Sequence, residues 1–415
     1  MYIKRSVNFS GLFTTIVTWH YNSLNMISQK FLNRDFILTF VSQFSMSSVS
    51  QTLMTTLPLY LSMLQATEVE IGVLIGSLSV ASLVLRPLVG RLLLRTPEKT
   101  FMIGGSLLFA ISSAAYLIAP PFWPLLLVRM LQGVGLASFN TASVTFIANI
   151  TSESRRGQSL SYFFLSFNIA LALAPTCGMF VVNHFGFVVL FAICIGLSLC
   201  SLFTVSKLEN RAPTALAEDS NESEFQIVTR IFPPTFMFLL AHIIWGALAA
   251  FFPLFAVSQG VSNPGLFFGA YAIVLILARG LGGGIIDLYS RKKILLPCLA
   301  SYVIGMMVLA FSKTLPMFIV VAVITGAGHA FLMPCLMAYA LDLAGVSRGP
   351  AMGIISAMGD LGMGVGPVLM GIILRLANYQ IMFLSLAITS LVNFVYFYHL
   401  TKKAGMKMAG EALSG

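Results

Sequence analysis

Asp360 stands ten residues into an apolar run, 350–374, in which it is the only acid. An ionised group at the centre of a membrane helix costs about 2.5–3.5 kcal/mol on insertion scales, so its presence needs a reason. At helical spacing Gly353, Ser356, Gly364 and Pro367 lie beside it, while Ile354, Leu361, Val365, Val368 and Ile372 form the apolar stripe. Asp360 is therefore expected to face protein or a cavity rather than lipid. There it can take up and release a proton, or act as a hydrogen-bond acceptor that ties helices together. Arg129, near the outer end of the run 123–149, shares a helical face with Gln132, Gly133, Leu136 and Asn140. A guanidinium in that place can bias the protonation of a nearby acid, clamp an anionic solute, or extend to the lipid headgroups.

Other polar side chains sit in similar runs. His242 and His329 can titrate near neutral pH, or can serve as hydrogen-bonding groups between helices. Trp245, together with Gln43, Gln51 and the hydroxyls around them between residues 45 and 56, either lines a cavity or binds helices to one another. The sequence has no GxSxG, HExxH or GxxxxGK[ST] pattern. An intramembrane aspartyl protease would need two facing acids in GxGD-like and YD-like settings. Asp360 follows Ala357-Met358-Gly359 and Asp342 follows Ala340-Leu341, so an enzyme is only a remote alternative. The five cysteines all lie in apolar runs and form no CxxC pair, which gives neither a zinc site nor a disulfide framework. No metal and no cofactor are expected.

The elements that hold these residues follow from composition. Of 415 residues, 58% are hydrophobic and only 9% charged, with a mean hydropathy of +0.91. A soluble domain carries about 25% charged residues to cover its core. The net charge of +10 comes from basic residues scattered among apolar runs, a pattern that makes no nucleic-acid groove. Apolar runs occur at roughly 36–62, 71–90, 101–119, 123–149, 157–182, 186–206, 231–258, 265–287, 294–312, 316–342, 350–374 and 381–400. Inside hydrocarbon they must be helices, because each then satisfies its own backbone. Thr67 with Glu70 forms a capping box before the second run, and Asn263-Pro264 reads as an N-cap with proline at the first helical position. Taking alternate connections as one side, nearly all loop and terminal Lys and Arg fall with the two termini, which places both termini in the cytoplasm. Residues 1–30 read as an extension rather than a signal peptide.

A polar stretch, 207–230, separates six runs from six. The halves resemble one another at an offset of 193, which matches Arg86 to Arg279, Gly90 to Gly283, and Gly133-x-Gly135-x-Ala137 to Gly326-x-Gly328-x-Ala330. An offset of 192 matches Asn168 to Asp360 and Pro175 to Pro367. Two such halves suit a transporter that binds its solute between repeats near the midplane. The divisions expected are an extension 1–30, bundles 31–206 and 231–401, the linker 207–230 between them, and a tail 402–415.

Over about residues 31–400 the chain resembles the major facilitator superfamily. Arg129-x-x-Gln132-Gly133-x-x-x-Ala137 is similar to the family's RxxQGxxxA motif, which implies a part for Arg129 and Gln132 in proton coupling. Gly283 through Lys292, with Asp287 and Arg291, is similar to the loop motif GxxxDxxxRK. Gly362-x-x-x-Gly366-Pro367-x-x-x-Gly371 resembles the GP motif that drug/proton antiporters carry in the fifth span, although here it lies in the eleventh. The fifth span has only Ala174-Pro175-Thr-Cys-Gly178, and the first span has no acid. The family's cytoplasmic charge network is complete in the second half as Asp287, Arg291, Asp342 and Arg348. In the first half its positions are Leu94, Asn149 and Arg156, without either acid.

The resemblance implies an all-α membrane protein of twelve transmembrane helices in two six-helix pseudo-repeat bundles. It also implies a secondary transporter in the cytoplasmic membrane, working as a monomer. Proton-coupled efflux of a small amphipathic organic molecule is the leading expectation. Proton-coupled uptake of a sugar, an organic anion or a siderophore is the alternative. The partners are the solute, protons and the bilayer, with no nucleic acid.

Overall fold

The structure, a computed structural model, describes residues 33–120, 122–151, 156–210, 224–282, 290–345 and 348–414. The extension 1–30 and Asp287 lie outside these residues, as does most of the linker. The described residues form helices throughout: α1 (Arg34–Met63), α2 (Glu68–Leu93), α3 (Glu98–Ala115), α4 (Trp123–Ile150), α5 (Arg156–Ser206), α6 (Glu224–Ser258), α7 (Gly265–Gly282), α8 (Arg291–Phe311), α9 (Leu315–Ala344), α10 (Arg348–Leu376) and α11 (Tyr379–Ser414). Eight of them, α2, α4, α5, α6, α8, α9, α10 and α11, are long and apolar enough to cross a membrane.

The exceptions have physical reasons. Helix α1 is dominated by Ser, Thr and Gln, and most of its buried residues are polar. Its hydroxyls survive in apolar surroundings by bonding their own helix, as Thr39 does to the Asp35 carbonyl and Thr56 to that of Thr52. Helix α3 spans only 18 residues, and α7 is described only as far as Gly282. Helix α5 has the opposite character, since 51 residues in a straight line would measure about 76 Å against a hydrocarbon core of about 30 Å. The chain breaks at Gly186, with φ 79° and ψ 177°, a conformation open essentially to glycine alone.

Three boundaries differ from those expected. Hydropathy puts the linker at 207–230, but α6 begins at Glu224, because Ile227 and Ile231 in its first turns are buried in one cluster with Ala344 and Ala351. Helix α11 continues past residue 402 to Ser414. Asn263 is not a side-chain cap for α7: its amide donates across to the Thr176 carbonyl at 3.3 Å. The Thr67–Glu70 capping box does form at the start of α2.

Packing repeats along the chain. Helix α1 packs on α5, α2 and α3 both pack on α4, and α3 also touches α5. Among the later helices α6 packs on α10, α7 and α8 on α9, and α8 on α11, the same pairings displaced by one repeat. Contacts between the two sets run chiefly through α2 with α10, α5 with α7, and α1 with α6. Glycines let these helices approach closely. A β-carbon on Gly133 would meet Leu78 and Ala81 of α2, and one on Gly135 would meet Gly105 and Phe109 of α3. One on Gly366 would strike the Ile243 carbonyl of α6, and Pro367 lies against Gly72.

The α2–α10 approach is backbone to backbone, since a β-carbon at Gly76 would collide with the Gly364 carbonyl oxygen. Gly76→Val should therefore lower the thermal midpoint of the purified protein by the equivalent of about 1–3 kcal/mol of overpacking. Gly104→Val, at a position with open space around it, should leave the midpoint nearly unchanged. Equal behaviour of the two variants would contradict this packing.

Candidate functional site

Helices α2 and α10 run antiparallel across the boundary between the two sets, with Glu68 beside Gly371, Gly72 beside Pro367 and Gly76 beside Gly364. Further along the same contact lies Asp360, and α2 presents Ser82 and Arg86 to it. The Arg86 Nε is 2.7 Å from Asp360 Oδ2. The Ser82 hydroxyl donates to the same oxygen at 3.4 Å, and Arg86 Nε lies 3.3 Å from Ser82 Oγ. The side chains are 30% and 15% exposed, so the pair is held by protein but not sealed. Among the described residues both of these contacts to Asp360 fall on Oδ2, which leaves Oδ1 for a proton. On its own side Asp360 is flanked by His242, whose side chain packs against Gly359 and Gly362 while Nδ1 lies 2.9 Å from the Phe238 carbonyl.

Asp360 thus lies inside the protein. Its ionic partner is Arg86, which sequence reasoning matched to Arg279 in the repeat but did not join to any acid. A mid-span arginine on the same offset as another was the available signal.

Arg129 has a different environment from the one expected. It is 5% exposed and donates to the Leu74 carbonyl at 3.0 Å, the Ile75 carbonyl at 3.1 Å and Gln132 Oε1 at 2.8 Å. Tyr116 donates to the same Gln132 oxygen at 2.8 Å. None of these bonds goes to a carboxylate. Arg129 and Gln132 join α4 to α2 and α3 inside the first set of helices, away from Asp360, because the face they share turns toward α2.

Two amides of the first set differ in their surroundings. Gln43 donates to Ser47 at 3.0 Å and Asn140 at 3.4 Å and accepts from Ser143 at 3.2 Å, which joins α1 to α4. Gln51 is buried, and its Oε1 has no hydrogen-bond partner among the described residues. In the second set Trp245 stacks on Tyr271 at 4.8 Å, and both rings lie against His329, which is hydrogen-bonded to the Tyr302 hydroxyl.

Two members of the expected charge network at the helix ends, Arg291 and Asp342, are paired. Arg291, at the start of α8, binds Asp342 near the end of α9, with Nη2 2.7 Å and Nε 3.1 Å from Asp342 Oδ2. Asp287 and the side chains of Arg348 and Arg156 lie outside the described residues. The first set does have an acid, supplied by a residue the motif comparison passed over: Glu98, at the start of α3, accepts from Asn149 Nδ2 at 2.6 Å. Glu98 and Arg291 are 193 residues apart, as are Asn149 and Asp342, so the repeat keeps the contact and reverses which end is acidic. Glu98 is 3% exposed, whereas Asp342 is 58% exposed.

The model of the Major Facilitator Superfamily matches residues 36–285 and 235–411. The chain belongs to this superfamily. It is a multi-pass membrane transporter and not an enzyme. The chain is 27% identical to the staphylopine export protein of Staphylococcus aureus over 351 residues, covering 77% of this chain and 84% of that one. It is 23% identical to an uncharacterized transporter of the same type from Methanocaldococcus jannaschii, covering 80% of this chain and 89% of that protein. Among solved structures, the nucleoside transporter NupG aligns with a TM-score of 0.74 at 15% identity, covering 89% of this chain and 100% of its own. The human organic anion transporter MFSD10 aligns with a TM-score of 0.62 at 17% identity, covering 88% of this chain and 98% of its own. These structural likenesses bear on the fold.

The Arg291–Asp342 geometry makes a reciprocal test possible. Asp342→Arg should impair transport by placing two cations together, and adding Arg291→Asp should restore part of the rate. Adding Arg348→Asp instead should restore less. The expected energy is small, about 0.2–1 kcal/mol for an exposed pair, so the readout is initial transport rate rather than stability. Rescue by Arg348→Asp alone would refute this pairing.

Proposed function

We propose that the chain is a proton-coupled exporter of a small amphipathic organic solute. It works by alternating access between two six-helix halves, 31–206 and 231–401, with twelve spans and with both termini in the cytoplasm. The two arms of α5, on either side of Gly186, count as two of these spans. The observation that carries this reading is the Arg86–Asp360 pair, because it joins one set of helices to the other near mid-span and contains a group that can change its charge. With Asp360 ionised, attraction to Arg86 holds α2 to α10. Protonation removes that attraction and favours the arrangement in which these helices part. A pair of this kind, worth a few kcal/mol in a partly dry setting, shifts a two-state equilibrium by tenfold or more.

Two further observations support the reading. The glycine contacts of α2 with α10 and of α5 with α7 gather at the ends away from the chain termini. On the topology read from the basic residues, the protein is closed on its outer side and ready to receive solute from the cytoplasm. The Staphylococcus aureus relative is named as an export protein, which favours the outward direction. Arg129 and Gln132 act in this scheme by holding α2 in place against α4, so that Arg86 meets Asp360.

Asp360→Asn keeps the shape and removes the charge. In reconstituted vesicles it should abolish uphill transport driven by a pH gradient while leaving downhill exchange of solute within about twofold, because the conformational change itself does not need the ionised form. Proton flux on addition of solute gives the direction of coupling. Unchanged uphill transport in the variant would refute the proposal.

A further inference from the structure

The two main contacts between the halves are copies of one another down to single residues. In one, Gly72 of α2 meets Pro367 and Gly76 meets Gly364; in the other, Gly265 of α7 meets Pro175 and Gly269 meets Ala172. Each residue of the second contact is the repeat mate of one in the first, at offsets of 193 and 192. Continued along both contacts, the same correspondence pairs Arg86 with Arg279, Ser82 with Leu275, and Asp360 with Asn168. The scaffold of the ion pair is present twice, but the acid is present once.

Arg279 is therefore a cation in a span without the acid that its mate has. Its Nε donates to the Ala330 carbonyl at 3.1 Å, and that is its one hydrogen bond among the described residues. Ala330 lies midway along α9, which places the guanidinium near mid-span rather than at the headgroups. Arg129 provides the comparison, since all three of its nitrogens are bonded and the residue is sealed. The terminal nitrogens of Arg279 carry no hydrogen bond among the described residues. The surroundings are not those of a lone structural arginine. His329 is the neighbour of Ala330, the Trp245 indole stacks on Tyr271, and Phe268 closes the box edge-on to Trp245 at 6.1 Å. The Tyr271 hydroxyl is buried beside that of Tyr302, which is in turn hydrogen-bonded to His329, so these groups form one connected polar cluster next to Arg279. A mid-span cation with unused donors and stacked aromatic faces beside it match the two ends of one kind of molecule.

We infer that Arg279, Tyr271, Trp245 and His329 bind an aromatic organic anion, whose carboxylate or equivalent acid takes the place that Asp360 holds beside Arg86. This rests on the transporter reading above and names the class of its solute. The acidic group accepts from the Arg279 terminal nitrogens, while the ring lies against Trp245 and Tyr271. Asn168, on α5 of the opposite half, is neutral, so the solute rather than the protein supplies the charge at this second contact.

The test is equilibrium binding to the purified full-length protein in phosphatidylcholine nanodiscs, without any gradient, so that it does not depend on proton coupling. The probes are 1-naphthylacetate, 1-naphthylacetamide and 1-naphthylethylamine, which share a ring system and differ in charge. The wild type should favour the carboxylate over the other two by at least about tenfold, as expected for a charge-assisted pair. Arg279→Gln should erase that preference, Arg279→Lys should keep part of it, and Asn168→Asp should erase it by giving Arg279 an acid of its own. Binding is measured without a gradient, whereas the coupling scheme is tested by uphill transport in vesicles, so a failure of the coupling scheme and a failure of the anion site give different results. Equal binding of the three probes, preference for the amine, no binding at millimolar concentration, or a preference that survives Arg279→Gln would each overturn the inference. Loss of naphthylacetate binding when phosphatidylglycerol is included would also overturn it, since the site would then belong to a lipid headgroup.

Discussion

Three arginines lie inside the apolar runs of this sequence, and hydrocarbon imposes one condition on all of them: a charge that leaves water must find its partners in the protein or in what the protein binds. Arg129 meets the condition with backbone carbonyls and an amide, which makes it a fixed strut between α4 and its neighbours. Arg86 meets it with Asp360 from the other half, a partner that can be neutralised by one proton. Arg279 meets it only in part. The same side chain in three settings thus gives a structural tie, a switchable tie and an open donor.

Each setting depends on how closely the helices approach. Where Gly72 and Gly76 face Pro367 and Gly364, α2 and α10 touch through their backbones. That contact sets the angle and register at which Arg86 reaches Asp360. A side chain at either glycine would separate the helices and lengthen every polar contact beyond it. Small residues at crossings are therefore a precondition of the charge chemistry as well as of tight packing, in line with the general use of glycine where membrane helices meet.

The repeat explains why chemistry and scaffold can diverge. Duplication supplies two equivalent contacts between the halves, and substitution then gives them different polar residues at the same points. Asp360 against Asn168 is one case, and Glu98–Asn149 against Arg291–Asp342 is another. In the second case one copy is buried and mostly neutral in its partner, while the other is an exposed ion pair that solvent screens. In the scheme proposed above, rocking of the halves is biased from one contact while solute is held at the other.

Much of this was legible in the residues themselves. Hydropathy and the near absence of charge place the chain in a membrane. The polar stretch and the repeat offsets divide it into two halves, and the helical neighbours of Asp360 turn that carboxylate away from lipid. These are signals carried along one dimension, and they depend on local spacing and solvent preference alone. Partnership is not such a signal. Whether Arg86 or Arg129 meets Asp360 depends on the rotation of each helix about its axis and on the register of α2 against α10, to which residues far apart in sequence contribute equally. The motif comparison pointed to Arg129, whose face turns inward to α2. It passed over Glu98, because an acid at the start of a helix reads as an ordinary dipole partner until Asn149 is seen beside it. Only the tertiary structure placed these groups, since the energy of a buried charge is set by the few atoms within reach of it.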